Sequence, residues 1–400
     1  MVILAVPGLA IFMGDPRVPV DRLITNTTAY IKEQPKDPMG PYTLARIHYL
    51  ALATRASSVL GSDQSGRLPT VNEPARVISP SGNAWTESQL RDHLKQAVEN
   101  FQKALSMDAK NALFHLGLAS VSRTALDAGF KLGPIPGVDM TEVPKDGDFA
   151  ALWREQAIAE FLKAYDLSVG TNTQVSYGHV ASGETSVLLN IEAGQQYVDL
   201  VTKRGVREAE RPTVERVRTA VGKLTGITSM TITPIIFRLS APAPLEHLLE
   251  PQKIVSFDLG GTGRPQRYRW LRPDTGILVW DPAHEGRIVS GHQLFGSVSF
   301  HMFWANGYRA LDALDDSRDG ELRGDELRGL AVWLDRNQNG VSDPGEVVPI
   351  EQTGIAAISA RATGTADGSP ANEMGLAMKD GRVLPTYDWT TESLSDVPRS

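Results

Sequence analysis

Residues Asp335–Glu346 read DRNQNGVSDPGE. Asp, Asn, Asn, Asp and Glu stand at positions 1, 3, 5, 9 and 12 of this twelve-residue window, with Gly340 at position 6. An acidic surface turn has no cause to keep that phase, but a hard cation does. Calcium takes about six to eight oxygens, and one loop wraps it only when the donors recur at fixed places. Side-chain oxygens come from positions 1, 3 and 5, a carbonyl from 7, a side chain or its water from 9, and both oxygens of a Glu from 12. Gly at 6 permits the sharp bend. The candidate ligands are therefore Asp335, Asn337, Asn339, the Val341 carbonyl, Asp343 and Glu346.

Upstream, Asp315–Glu326 reads DDSRDGELRGDE and repeats the phase. Asp315, Ser317, Asp319, the Glu321 carbonyl and Glu326 take the same places, and Gly320 makes the bend. Ser317 departs from the usual Asp or Asn, and Arg323 at position 9 offers no oxygen, so weaker binding is expected here. At position 8, where an aliphatic residue joins paired loops, the first loop has Leu322 and the second has Ser342. Two Ca2+ ions are expected, one in each loop. Only Leu327–Leu334 separates them, too short for the helix–linker–helix of a standard EF-hand pair. One element must leave the first loop and lead into the second.

Charge agrees with a cation site. The chain has 400 residues and a formal net charge of −7. Between Leu311 and Glu346 stand ten Asp and Glu against four Arg, so one short segment carries most of the excess. Nucleic acid would want a basic face and is not an expected partner. The chain has no cysteine, which excludes disulfides, thiolate metal sites and Cys nucleophiles. No later stretch is apolar enough to span a bilayer. The N-terminal MVILAVPGLAIFMGDP has an apolar run of signal-peptide length without a basic start or a small-residue cleavage site. It reads either as a truncated export signal or as a buried first segment.

From about residue 17 to 225 the pattern is helical, interrupted by loops near 61–85 and 129–148. Ala97, Phe101 and Ala104 form one stripe, followed after a turn by Leu118-Ala119; Ala157, Phe161 and Ala164 repeat it. A weaker unit has Pro35 at its turn, then Leu44-Ala45 and His48. This arrangement resembles tetratricopeptide repeats, in which small residues let paired helices approach closely and the aromatic fills the gap. The resemblance implies a surface for protein or peptide partners. An irregular helical bundle is the alternative.

From Thr228 onward, short β-branched and aromatic pieces such as IVSFDL, RYRWL, GILVWD and LAVWLD suit strands. Residues 254–358, with FDLGGTG, then DPAHEG followed by QLFG, then the two acidic loops, resemble the EF-hand-like calcium modules of exported bacterial proteins of the RTX-associated type. By that resemblance, loops starting at Asp258 and Asp281 are degenerate. The first has Gly260 and Thr262 in place of acids; the second has Ala283, and Gln293 in place of the closing Glu. Both are expected to keep the fold without the metal, on the bends allowed by Gly263 and Gly286.

Other patterns fail as sites. His284, Glu285 and His292 lack the one-turn spacing of a zinc helix, and GGTGRP lacks the Lys-Ser/Thr of a phosphate loop. His48 and His115 read as packed residues, and the aromatic run SFHMFWANGY as core.

The expected protein is mainly α. A TPR-like helical domain (17–225) precedes a small mixed α/β domain with paired EF-hand-like calcium loops (250–360) and a C-terminal extension (361–400). The expected function is calcium-stabilised binding of a protein or peptide partner outside the cytoplasm, where millimolar calcium would make the metal structural. The rival is an exported enzyme with its active site between the domains and calcium as a brace. A calcium sensor is disfavoured, because opening a groove needs a longer inter-loop element.

Overall fold

The computed structural model of the chain describes residues 17–60, 85–129, 149–170, 174–175, 187–224, 231–261 and 265–394. The apolar N-terminal run, Gly263 and nearly all of the loops near 61–85 and 129–148 lie outside the described residues. Among the described residues seven α-helices come first: Val20–Glu33 (α1), Met39–Thr54 (α2), Glu87–Met107 (α3), Ala112–Asp127 (α4), Phe149–Ser168 (α5), Leu189–Arg204 (α6) and Arg211–Leu224 (α7). Each packs on the next in sequence. Local chemistry sets several boundaries. Thr86 and Gln89 form a reciprocal capping box at the start of α3, and Asn111 caps α4.

The small–aromatic–small stripes are the contact faces. Ala97, Phe101 and Ala104 are fully buried, as are Ala157, Phe161 and Ala164. A Cβ placed on Gly117 of α4 would lie 2.3 Å from the Phe101 ring, so the facing helix is glycine where the aromatic enters. Gly194 of α6 does the same beside Tyr165 of α5. His48 and His93 meet through their Nδ1 atoms at 2.8 Å. Burial, and then the His93 neighbour, pushes His48 down to about 4, so it stays neutral. His115 is held between Glu160 and the Ala109 carbonyl. Both histidines are packed, as expected. Short pairings, Arg17–Pro19 (β1) with Ser58–Leu60 (β2) and Gln174–Val175 (β3) with Val187–Leu188 (β4), tie connecting segments together.

Beyond α7 the expected small mixed domain is overturned: the region is mostly antiparallel β, so the protein is not mainly α. The strands are Thr231–Ile232 (β5), Ile235–Arg238 (β6), Leu249–Phe257 (β7), Gln266–Leu271 (β8), Thr275–Trp280 (β9), Glu321–Arg323 (β10), Leu330–Trp333 (β11), Val347–Pro349 (β12), Ile355–Ser359 (β13), Gly364–Ala366 (β14), Ser369–Met378 (β15), Val383–Asp388 (β16) and Thr391–Glu392 (β17). Nine of them form one sheet in the order β10-β13-β15-β16-β6-β9-β11-β12, with β14 added on β15. β7 and β8 make a separate ribbon, and β5 pairs with β17. Gly307–Asp312 (α8) is the one α-helix after Leu224 among the described residues. β15 and β16, from the stretch read as a C-terminal extension, lie inside the sheet.

Side chains alternate between two cores, as the period-two pleat requires. Ile235, Phe237, Leu278, Trp280, Leu330 and Val332 join a cluster shared with the helices, including Leu23, Tyr42 and Ile47. Ile236, Ile277, Val279, Ala331 and Trp333 join a second cluster under the ribbon, with Phe257, Tyr268 and Trp270. Burial on both faces explains why β9 and β11 read as unbroken apolar runs. The aromatic run is core as expected: Phe300, Met302, Trp304 and Tyr308 are all buried. Between the helices and the sheet, fully buried Arg46 donates from Nε and Nη2 to the His301 carbonyl at 3.1 and 2.9 Å.

Asp388, at the end of β16, accepts the Gly307 N–H at 2.9 Å and so holds the start of α8. Burial pushes its carboxyl up to about 7, against that hydrogen bond. A carboxyl raised in the fold releases its proton later than in the unfolded chain, so stability should fall as pH rises from about 4 to about 7 and then level off. Asp388→Asn, which has no proton to lose, should flatten that slope; urea midpoints at pH 5 and pH 8 measure it.

Candidate calcium loops

The two acidic loops are shaped by their own side chains holding their own backbone. In the first, Asp315 Oδ1 accepts from the Arg318 N–H at 2.7 Å and Oδ2 from Gly320 at 2.9 Å. In the second, Asp335 Oδ1 accepts from Asn339 at 3.0 Å and Oδ2 from Gly340 at 2.9 Å. The closing glutamates reach back in the same manner. Glu326 takes the Ser317 and Arg323 N–H groups at 2.7 and 3.0 Å, and Glu346 takes those of Arg336 and Asp343 at 2.8 and 3.1 Å. Position 4 is left-handed in both (Arg318 φ 61°, Gln338 φ 56°), and so is the glycine at position 6 (Gly320 φ 93°, Gly340 φ 73°). Each loop thus brings its first and twelfth residues onto one stretch of backbone.

The remaining candidates are less converged. Asn337 and Asn339 both donate their side-chain amides to Asp343 Oδ2, at 2.7 and 2.8 Å, while their own Oδ1 atoms accept N–H groups of the loop. Ser317 Oγ lies 3.3 Å from Asp315 Oδ1, and Asp319 accepts the Glu321 N–H at 2.9 Å. The Glu321 side chain turns to Arg323, and Val341 is exposed. Among the described residues no three His, Asp or Glu side chains are gathered closely enough to hold an ion.

The donor chemistry nevertheless fits a hard cation. Every side-chain candidate is an oxygen donor, and an ionised carboxylate has lone pairs beyond those its N–H partners use. Burial raises the Asp315 and Asp335 carboxyls above the ordinary range; the backbone N–H groups lower them, and the facing Glu326 and Glu346 raise them further. Two acids turned toward each other in a poorly solvated loop favour a counter-charge. Asp343 is held below its usual range by Asn337 and Asn339.

Among the described residues neither loop is flanked by an α-helix on both sides. The first loop follows α8 and runs into β10 and a 3₁₀ turn at Gly324–Leu327; β11 then leads to the second loop, which ends at β12. One element does link the loops, but it is a strand. The two loops are not partners, because β10 and β12 form opposite edges of the sheet. Leu322 lies opposite Ile358 of β13. Ser342, at position 8 of the second loop, instead accepts the Ile288 N–H at 2.8 Å. Ile288 is position 8 of the degenerate Asp281 loop, so that loop stands where a paired one would.

The degenerate loops keep the same turn. Asp281 accepts from Glu285 and Gly286 at 3.0 and 2.9 Å, and His284 and Gly286 are left-handed at φ 54° and 65°. Gln293 accepts the Val289 N–H and donates to the Arg287 carbonyl, both at 2.9 Å. That carbonyl is position 7, so an amide hydrogen satisfies an oxygen that an intact loop would offer to metal. In the Asp258 loop, Gly261 is left-handed at position 4, and its carbonyl lies 2.9 Å from His292 Nε2. The other His292 nitrogen lies 2.9 Å from the Val298 carbonyl, so both ring nitrogens face backbone carbonyls and not His284 or Glu285.

Sequence spacing did not reveal the residues that brace the loops from outside. Trp270 of β8 donates its indole N–H to Asp335 at 2.7 Å, and Gln338 donates to the Leu271 carbonyl at 2.8 Å. Arg22, Asn26 and Glu33 of α1 grip the first loop. The only hint available was their type: an aromatic in the ribbon and charged residues along one helix.

A family model described as the SPM domain matches residues 247–397. The iron-regulated protein FrpA of Neisseria meningitidis serogroup C is 33% identical over 107 residues, covering 26% of this chain and 10% of that protein. The chain therefore spans about a tenth of the length of that relative. No helix among the described residues is long and apolar enough to cross a membrane.

Proposed function

We propose that this is an exported bacterial protein in which the Asp315 and Asp335 loops each take one Ca2+, mainly as a structural brace, while the TPR-like helical region docks a protein or peptide partner. The observation that carries the calcium reading is the repetition of one loop design. Positions 1, 4, 6 and 12 do the same work in both loops, and the first and last acids face one backbone stretch. Calcium would add positive charge between the paired acids and draw the Asn and Asp oxygens inward. The resemblance to RTX-associated modules and the similarity to FrpA support placing the protein outside the cytoplasm, where calcium is abundant enough to fill moderate sites.

For the partner, the helical region offers a cavity of about 600 Å³ among α3, α4 and α5. Leu105, Leu118 and Leu167 line it with Gln156 and Glu160, a mixture suited to a side chain flanked by peptide amides. A pull-down from an exported-protein fraction, with calcium and with chelator, tests this half of the reading.

Native mass spectrometry of the full chain tests the other half, with two calcium ions expected. The intact loops each bring three carboxylates: Asp315, Asp319 and Glu326, or Asp335, Asp343 and Glu346. The degenerate loops bring Asp258 alone, or Asp281 with Glu285, and lack the closing Glu. Three or four tightly held ions would mean that distant residues complete those loops, and none would remove the calcium reading altogether.

A further inference from the structure

In the first loop the candidate ligands alternate with residues committed elsewhere. Asp315, Ser317 and Asp319 are the candidates at positions 1, 3 and 5, and the residues between them, Asp316 and Arg318, reach α1. Asp316 Oδ1 accepts from Arg22 Nε and Asn26 Nδ2, both at 2.8 Å. Arg22 also donates to the Leu314 carbonyl at 2.7 Å, and Asn26 to that of Ala313 at 3.0 Å. Arg318 forms a two-pronged pair with Glu33 at 3.1 and 2.9 Å and donates to the Asp312 carbonyl at 2.9 Å. The helix therefore holds the backbone just before the first ligand and the side chains of Asp316 and Arg318 after it.

Resting on the calcium reading above, we infer that Arg22, Asn26 and Glu33 are positioning residues of the first loop, so that its metal site is completed by the helical region. Holding the side chains at positions 2 and 4 restrains the backbone on both sides of position 3 and next to positions 1 and 5, because neighbouring residues are joined by rigid planar peptide units. This loop has most need of such support, with Ser317 at position 3 and no oxygen at position 9. Among the described residues no hydrogen bond or ion pair joins the second loop to α1; its braces are Trp270, the Leu271 carbonyl and the Asp281 loop. Coupling is reciprocal, so calcium in the first loop tightens α1 by as much as α1 tightens calcium.

The test uses the full chain in two backgrounds, Glu346→Gln to read the first loop and Glu326→Gln to read the second. Outer partners of a metal site are worth about 10- to 100-fold in affinity. Arg22→Gln with Asn26→Ala should weaken calcium at the first loop about tenfold and leave the second within about twofold. Arg22→Lys should lose less, since it keeps a cation beside Asp316. Glu33→Gln, at the exposed end of the helix, should give a separate and smaller loss. Hydrogen exchange should show calcium protecting residues 20–33 in the Glu346→Gln protein and not in the Glu326→Gln protein. Unchanged first-loop affinity, or α1 protection that follows the second loop equally, overturns this inference alone. A first loop that takes no calcium in the unaltered chain overturns it together with the calcium reading of that loop.

Discussion

Glu346→Gln should weaken calcium binding at the second loop by about 100-fold or more, and Glu326→Gln should cost the first loop less. Charge count and ligand set move such loops across several decades of affinity. The closing Glu supplies two oxygens and one full charge, and Gln keeps a single oxygen. In either loop that loss also undoes the reach across the turn. Glu346 accepts from Arg336 and Asp343 with separate oxygens, so one of those N–H groups loses its acceptor. The first loop has less to lose, because Arg323 replaces the acid at position 9 and carries positive charge beside the site. Titration calorimetry on the two single variants decides it; equal or reversed losses would sink the ranking.

Arg46→Met is expected to destabilise the whole chain by roughly 3 kcal/mol, in one transition. A hydrogen bond from a charged donor contributes about 1.5–3 kcal/mol, and the acceptor left behind is buried. Arg46 donates twice to the His301 carbonyl and lies over the Phe303 ring, 4.5 Å from its centroid. That carbonyl belongs to a strained pair, Phe300 and His301, both left-handed at φ 58° and 60°. Such conformations cost about 1–3 kcal/mol each and persist only where the surroundings hold them. Methionine refills much of the volume and none of the hydrogen bonding. Because one apolar cluster runs from α1 and α2 into the sheet, helices and strands should unfold together in urea. Two separate transitions, with the helical one unmoved, would show the regions to be independent.

These expectations depend unevenly on what could be read along the chain. The stripes of α3 and α5 were legible because a helical face repeats over a few residues, and Ala97, Phe101 and Ala104 are buried together. The β content was under-read for a related reason. Strands such as β10, β12 and β14 are three residues long, too short for an alternation to declare itself. β15 and β16 passed as an extension because nothing local says that they lie between β13 and β6.

The loops divide in the same way. Their turns are encoded locally: Asp at position 1 and Glu at position 12 hold N–H groups no more than ten residues away. A dozen residues therefore suffice to specify the bend, even where the acids have decayed, as at Asp281. What lies beside each turn is another matter. Ser342 meets Ile288 across 54 residues, and Arg22 meets Asp316 across 294. Such neighbours are chosen by sheet order and by the seating of α1, which arise from burying two apolar faces at once. No short-range spacing carries that information, so pairing, bracing and any coupling between helix and loop belong to the tertiary structure.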